Sequence, residues 1–356
     1  MKKHNFSAGP AILPASVMQQ ASEAALNYNN TGLSILEMSH RGKEIVAVMD
    51  EAIQSVKDIF NLPENYEVLY LTGGASTQFF MTAMNLLDQG QTAYYADTGA
   101  WSKKAYKEGQ HFGSIEVIAS SEDKNYTYIP KGFTVPGDAA YLHITTNNTI
   151  FGTQYKAVPH TESSIVADMS SDIFSREIDA TQFDLIYAGA QKNLGPAGTT
   201  MVVVNKEILG KVNRAIPTML DYRTHIGKKS AFNTPPVFPI YVCMLSLRWI
   251  KEQGGVAAIE QNNNQKADLL YNALDESSLF KAVVAKEDRS IMNVPFVMET
   301  DELNEAFLNV CTEAGISGVK GHRSVGGFRA SIYNAMPIDS VKVLVDVIKE
   351  FERTNG

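Results

Sequence analysis

Three apolar runs in this 356-residue chain end in polar groups able to do chemistry. Ligands of open α/β sheets sit beyond the carboxyl ends of strands, so such run ends are where a site is expected. Leu69-Tyr70-Leu71 gives way to Thr72-Gly73-Gly74-Ala75-Ser76-Thr77. Small residues there would let N–H groups and hydroxyls approach an anion at the start of a helix, where the dipole also favours negative charge. Read alone, the segment is equally a plain strand-to-helix turn with an N-cap, and it matches neither G-x-G-x-x-G nor G-x-x-x-x-G-K-[ST]. The run Ile165-Val166-Ala167 ends in Asp168, a carboxylate at the tip of a buried strand that needs a cationic partner. The run Leu185–Ala188 exits into Gly189-Ala190-Gln191-Lys192-Asn193-Leu194-Gly195, where one lysine sits among small and apolar residues. Desolvation in that setting lowers the amine pKa and makes it a usable nucleophile. From these two residues alone, a Lys192–Asp168 salt bridge explains the pattern as well as catalysis does.

The combination is more telling than its parts. An anion cup, a buried carboxylate and a desolvated lysine on three strand ends are the partners that pyridoxal 5′-phosphate requires: a phosphate cradle, a Schiff-base amine and an acid for the pyridine nitrogen. Trp101, after Asp97-Thr98-Gly99-Ala100, offers a flat face for a ring to stack on, or is a core tryptophan.

The elements that must position these groups can be read from patterning. From Glu67 to Val204, apolar runs at Glu67–Leu71, Thr92–Ala96, Ile115–Ala119, Ala140–Thr145, Ile165–Asp168, Leu185–Ala188 and Met201–Val204 alternate with helical patterns. That predicts an α/β fold: a large cofactor-binding domain around a mostly parallel, seven-stranded sheet. Ser76–Leu87 spaces Phe79, Phe80, Ala83, Met84 and Leu87 as a helix directly after the Gly73-Gly74 turn. Beyond Gly255 the texture becomes helix (Ala257–Leu274), strands near Phe280–Ala285 and Ile291–Phe296, then helices Glu302–Ala314 and Asp339–Lys349, a smaller α+β C-terminal domain. The expected division is 16–255 for the large domain and 256–356 for the small one, with 1–15 an N-terminal segment associated with the latter.

Composition narrows the function classes. Lys and Arg number 31 against 39 Asp and Glu, a net charge of −8, which argues against a sequence-independent grip on nucleic acid or acidic lipid. Any anionic ligand must meet a local cluster of cations, and His40-Arg41, His322-Arg323 and Arg329 supply one in Gly-flanked segments; singly, each arginine reads as readily as a surface or fold-supporting one. Cys243 and Cys311 match no metal spacing and no disulfide framework, so no metal is expected and a reduced compartment is the simpler reading. The first ten residues lack an apolar run of signal-peptide length, and prolines 235, 236 and 239 interrupt the stretch 230–247, so a cytoplasmic protein without a membrane segment is expected.

The segments Asn5–Pro10, Ser39-His40-Arg41-Gly42-Lys43-Glu44, Ala188–Gly198, Phe232-Asn233-Thr234-Pro235-Pro236 and Gly321–Ser331 together resemble the phosphoserine aminotransferase group of the class V, fold-type-I PLP-dependent aminotransferases, over nearly the whole chain. The resemblance implies that Lys192 carries the cofactor as a Schiff base, Asp168 pairs with the pyridinium nitrogen, Thr149 bonds the ring hydroxyl, Trp101 stacks on the ring, and Ala75, Ser76 and Gln191 reach the phosphate. It also implies a homodimer in which Asn233 and Thr234 complete the phosphate site from the partner subunit. Arg329 would hold the substrate α-carboxylate. His322, Arg323 and, across the dimer, His40 and Arg41 would recognise the substrate phosphate or the glutamate side chain. Many relatives carry arginine or cysteine in the cup, where this chain has Gly73-Gly74-Ala75-Ser76. The implied reaction is transamination between L-glutamate and 3-phosphohydroxypyruvate, giving O-phospho-L-serine and 2-oxoglutarate in serine biosynthesis, with 4-phosphohydroxythreonine in pyridoxine biosynthesis as a side role. Two other readings stay open: another class V transaminase, such as an alanine–glyoxylate type, and a colourless phosphate-binding module in which Lys192 and Asp168 form a structural ion pair.

Overall fold

The structure, a computed structural model, describes residues 3–299 and 301–356. A two-residue strand β1 (His4–Asn5) and helices α1 (Ala15–Leu26) and α2 (Lys43–Phe60) precede the large sheet. Strand β2 (Tyr66–Leu71) leads into α3 (Gly74–Leu86) and β3 (Thr92–Asp97) into α4 (Ala100–Gly109). Strands β4 (Ser114–Ser120), β5 (Leu142–Thr145), β6 (Ile165–Asp168), β7 (Leu185–Gly189) and β8 (Thr200–Asn205) complete the sheet in the order β2-β8-β7-β6-β5-β3-β4. Strand β8 is antiparallel to β2 and β7, and every other neighbouring pair is parallel. The carboxyl ends of the remaining strands therefore share one rim, where Leu71, Asp168 and Gly189 terminate.

Helices cover both faces, which is why the central strands read as unbroken apolar runs. Along β7, Ile186 and Ala188 pack with α2 and with α6 (Val237–Glu252), whereas Leu185 and Tyr187 pack with α3 and the short helix α5 (Tyr222–Gly227). That alternation is the two-residue period of a strand. On α2, buried Ile45, Val48, Met49, Ala52, Val56 and Phe60 fall at spacings of three and four, the stripe a helix needs to lie on a sheet.

The chain then builds a second core from α7 (Gly255–Glu276), β9 (Phe280–Ala282), β10 (Asn293–Met298), α8 (Asn304–Glu313), β11 (Ile316–Ser317), β12 (Phe328–Ser331) and α9 (Ile338–Asn355). Strands β12, β10 and β9 form an antiparallel sheet, and Phe280, Phe296, Phe307, Phe328 and Phe351 interlock beneath it. Each such fully buried ring contributes about 1.5–3 kcal/mol relative to exposure. Helix α7 straddles both cores, with Ile259 in the first and Ala267 to Leu274 in the second. Strand β1 pairs in parallel with β11, and Phe6 enters the second core. The N-terminal segment next reaches the loop after β7, where the Ala11 N–H donates to the Gln191 carbonyl at 2.9 Å. The α/β class with a seven-stranded, mostly parallel sheet and a smaller C-terminal α+β unit is the architecture patterning predicts. The reversed β8 and the short strands β1, β11 and β12 were not anticipated.

Candidate active site

A cavity of about 320 Å³ opens on the strand-end rim. Its walls bring together Ala75, Ser76, Trp101, Thr149, Asp168, Gln191, Lys192, His322 and Arg329. Residues from the three run ends singled out in sequence thus meet in one place.

Lys192 lies in the loop between β7 and β8, closed by Ala190 N–H to Thr199 C=O at 3.1 Å and Gly195 N–H to Ala190 C=O at 2.7 Å. Gly195 packs so tightly on α6 that an added Cβ would stand 2.5 Å from Cys243 Sγ. Lys192 is half-buried, and its Nζ donates to Thr149 Oγ1 at 2.6 Å and stands 5.5 Å from the Trp101 ring centre. Enclosure lowers its pKa to about 8, helped by the Arg329 charge and opposed by Asp168 and Asp172. At pH 8 about half of this amine is neutral, against well under ~1% for an ordinary lysine. No ion pair among the described residues joins it to Asp168, so the structural salt bridge gives way to a Lys192–Thr149 contact.

Asp168 is buried, and burial pushes its carboxyl pKa up while the Lys192 charge and Ser170 pull it down. Ser170 donates to the same oxygen twice, from its N–H at 2.9 Å and from its Oγ at 2.6 Å. That leaves Oδ2 unengaged among the described residues, in a residue that lines the cavity. Its register partner Tyr187 bonds His143 Nε2 at 2.7 Å, and burial holds His143 near pKa 3 and therefore neutral. Ser170, Tyr187 and His143 were missed in sequence; only the serine's place two residues after Asp168 hinted at a role.

The cup is shaped by Gly73, which adopts φ +96° and whose Cβ would collide with Thr77 Oγ1 at 1.8 Å. Helix α3 starts at Gly74, and the residues of its first turn, Gly74, Ala75 and Ser76, line the cavity, the place where an anion can meet a helix N-terminus. Thr149 is fixed by its neighbour Asn148, whose Oδ1 accepts from the N–H groups of Ile150 and Phe151 and whose Nδ2 donates to the Thr98 carbonyl. Arg329, on β12, donates to the Thr149 carbonyl at 3.1 Å, and its buried Nε has no partner among the described residues. The buried Trp101 Nε1 likewise has none among the described residues. Two donors lacking acceptors, a free carboxylate oxygen, a desolvated amine and a helix start fit the donor set of pyridoxal 5′-phosphate.

Other expected residues stand apart. Asn233 and Thr234 are exposed, and Asn233 lines a neighbouring pocket beside Gly73 and Thr77. Half-buried His40 and exposed Arg41 lie in the turn before α2, and exposed Arg323 beside His322; none of these three lines the cavity. Lys104 of α4 was not singled out in sequence, yet its Nζ stands 4.7 Å from the Trp101 ring centre.

A family model described as aminotransferase class V matches residues 3–344. The chain is 58% identical over 353 residues, 99% of each protein, to the phosphoserine aminotransferase of Flavobacterium johnsoniae, and 55% identical over 355 residues, again 99% of each, to that of Bacteroides fragilis. The solved phosphoserine aminotransferase of Bacillus circulans subsp. alkalophilus superposes with a TM-score of 0.97 at 46% identity, covering 100% of this chain and 99% of the other. A PLP-bound phosphoserine aminotransferase from Trichomonas vaginalis gives 0.93 at 35% identity, covering 98% and 100%.

Proposed function

The chain belongs to the class V aminotransferases and uses pyridoxal 5′-phosphate, and we propose that its reaction is the transfer of an amino group from L-glutamate to 3-phosphohydroxypyruvate, yielding 2-oxoglutarate and O-phospho-L-serine. The observation that carries this reading is the set of cations at the cavity, Arg329 in its wall with Arg323 and Lys104 nearby, gathered around the His322 imidazole, whose pKa they help to lower. No ion pair among the described residues neutralises Lys104, Arg323 or Arg329. In a protein of net charge −8, unpaired arginines around one cavity favour substrates that are acidic at both ends.

When bound, the cofactor supplies an electron sink for the substrate α-carbon. Lys192 would hold it covalently and, once freed, act through Nζ as the base that takes the α-proton and returns it to the carbon on the far side of the amino nitrogen. An amine of pKa about 8 suits that task near neutral pH. Asp168 would keep a proton on the pyridine nitrogen through Oδ2, with Ser170 fixing the carboxylate. Thr149 would orient the ring hydroxyl, and Trp101 would cover one ring face. Ala75, Ser76 and Gln191 would hold the phosphate, Arg329 the α-carboxylate, and His322 with Arg323 the distal anion.

A second copy of the chain would complete the site with His40, Arg41, Asn233 and Thr234. All four lie outside the cavity wall, among exposed apolar residues: Leu33, Leu36 and Val46 flank the first pair, and Phe232 precedes the second. The same cations would also accept the longer phosphorylated oxo acid that leads to 4-phosphohydroxythreonine. No helix among the described residues is long and apolar enough to cross a membrane, in keeping with a cytoplasmic enzyme.

Steady-state assay with glutamate and 3-phosphohydroxypyruvate, against glyoxylate as acceptor, tests the substrate assignment; equal kcat/KM for the two would remove it. Mixing inactive Lys192→Ala and Asn233→Ala chains tests the shared site, since only a dimer with exchanged residues regains activity.

A further inference from the structure

We propose that Lys104 is a specificity-determining residue for the distal anion of the substrate, an ammonium held at the cavity edge by the Trp101 ring. The inference rests on the acidic-substrate reading above.

Two consecutive lysines on α4 meet different fates. Lys103 pairs with Glu122 at 2.7 Å, so its charge is spent within the protein. Lys104 is exposed, has no ion pair or hydrogen bond among the described residues, and places its Nζ 4.7 Å from the Trp101 ring centre. The residue separation of three puts both side chains on one face of the helix. A π-face fixes the position of an ammonium and leaves its full charge available to an anion. A carboxylate partner would cancel that charge.

The same ring lines the cavity and lies 5.5 Å from Lys192 Nζ, so the Lys104 ammonium sits against a cavity-wall residue. His322, in the cavity wall, feels Lys104 along with Arg329 and Arg323, and these charges add to burial in lowering its pKa. Lys104 therefore belongs to the field that covers the cavity mouth. Glu108 of α4 lies one turn beyond Lys104 on the same helix face, yet no ion pair among the described residues joins the two. An ammonium on a flexible stem can follow a phosphate or a carboxylate at different reach, which one site serving two acidic substrates of unequal length requires.

The test is steady-state kinetics of the holoenzyme with Lys104→Gln and Lys104→Arg, using 3-phosphohydroxypyruvate, its unphosphorylated counterpart hydroxypyruvate, and glutamate. Lys104→Gln is expected to raise KM for the phosphorylated acceptor about fivefold to tenfold, to raise it less for glutamate, and to leave KM for hydroxypyruvate within about twofold, with kcat for the phosphorylated acceptor little changed. The difference from wild type should shrink as salt rises, and Lys104→Arg should stay near wild type. An equal KM shift with phosphorylated and unphosphorylated acceptors, no shift at all, or Lys104→Arg behaving like Lys104→Gln would overturn the proposal while the substrate assignment stands. A wild-type enzyme indifferent to the phosphate would overturn both.

Discussion

Asn193 Oδ1 accepts the backbone N–H of Asn334 at 3.0 Å, which fastens the residue next to Lys192 to the chain just past β12. The Asn193 amide also donates to the Ser171 carbonyl at 3.1 Å, three residues after Asp168. Asn334 in turn donates to the Phe174 carbonyl and accepts from Asn263 of α7. One buried side chain thus ties the lysine loop, the aspartate loop and the small domain together. Asn193→Ala should leave the Asn334 N–H without a partner at a cost of about 1–3 kcal/mol. Unfolding midpoints should fall accordingly, and kcat should fall about tenfold with the cofactor still bound. Unchanged kcat in a destabilised variant would mean that the tie serves the fold alone.

Lys192→Ala is expected to lower turnover by at least about 10²-fold and to abolish the borohydride-trapped mass shift at position 192. The amine's environment gives a second check. Capture of pyridoxal 5′-phosphate by the apoprotein needs neutral Nζ, and with a pKa of about 8 the capture rate should rise roughly tenfold per pH unit below that value and level off above it. An unperturbed lysine would keep rising towards about 10.4. Stopped-flow absorbance between pH 6 and 10 separates the two profiles.

Asp168 and Lys192 were legible because each breaks an apolar run, and a charge at the tip of a buried strand needs a reason. Arg329 was legible as a cation but not as a strand residue: Phe328–Ser331 is four residues long and follows Gly326-Gly327, too short to show a period. Lys103 and Lys104 look alike in the sequence, and they part only once the helix places one beside Glu122 and the other over Trp101. Lys266 stands in the polar stretch Asn262-Asn263-Asn264-Gln265-Lys266, which reads as a solvated face, yet it is wholly buried where α7 crosses between the two cores. Propensity and pattern cannot announce such a burial, because it depends on a loop about 70 positions away.

Ser170→Ala removes the Oγ donor to Asp168 and keeps the backbone donor. A hydrogen bond to a charged group contributes about 1.5–3 kcal/mol, and its loss raises the carboxyl pKa further. Below that pKa the carboxyl group is protonated and cannot hold a further proton on the ring nitrogen, so the acidic limb of the kcat profile should move to higher pH. Ser170→Thr should reverse most of that shift. A profile unmoved on the acid side would separate Asp168 from that limb.

Lys266 donates to the carbonyls of Ile332 at 3.0 Å and Tyr333 at 2.7 Å, and burial, with no acidic partner among the described residues, lowers its pKa to about 7. In the unfolded chain the same amine titrates near 10.4. Between these values the unfolded chain binds a proton that the folded chain does not, so stability rises with pH across that window and is flat in this respect below and above it. Lys266→Met removes the titration along with the two hydrogen bonds. The wild-type advantage over the variant, measured by urea unfolding, should therefore grow between pH 6.5 and 9.5, by about 3 kcal/mol as an upper bound. Parallel stability curves for the two proteins would show that the ammonium finds compensation in the fold and that the 332–333 carbonyls hold it charged at neutral pH.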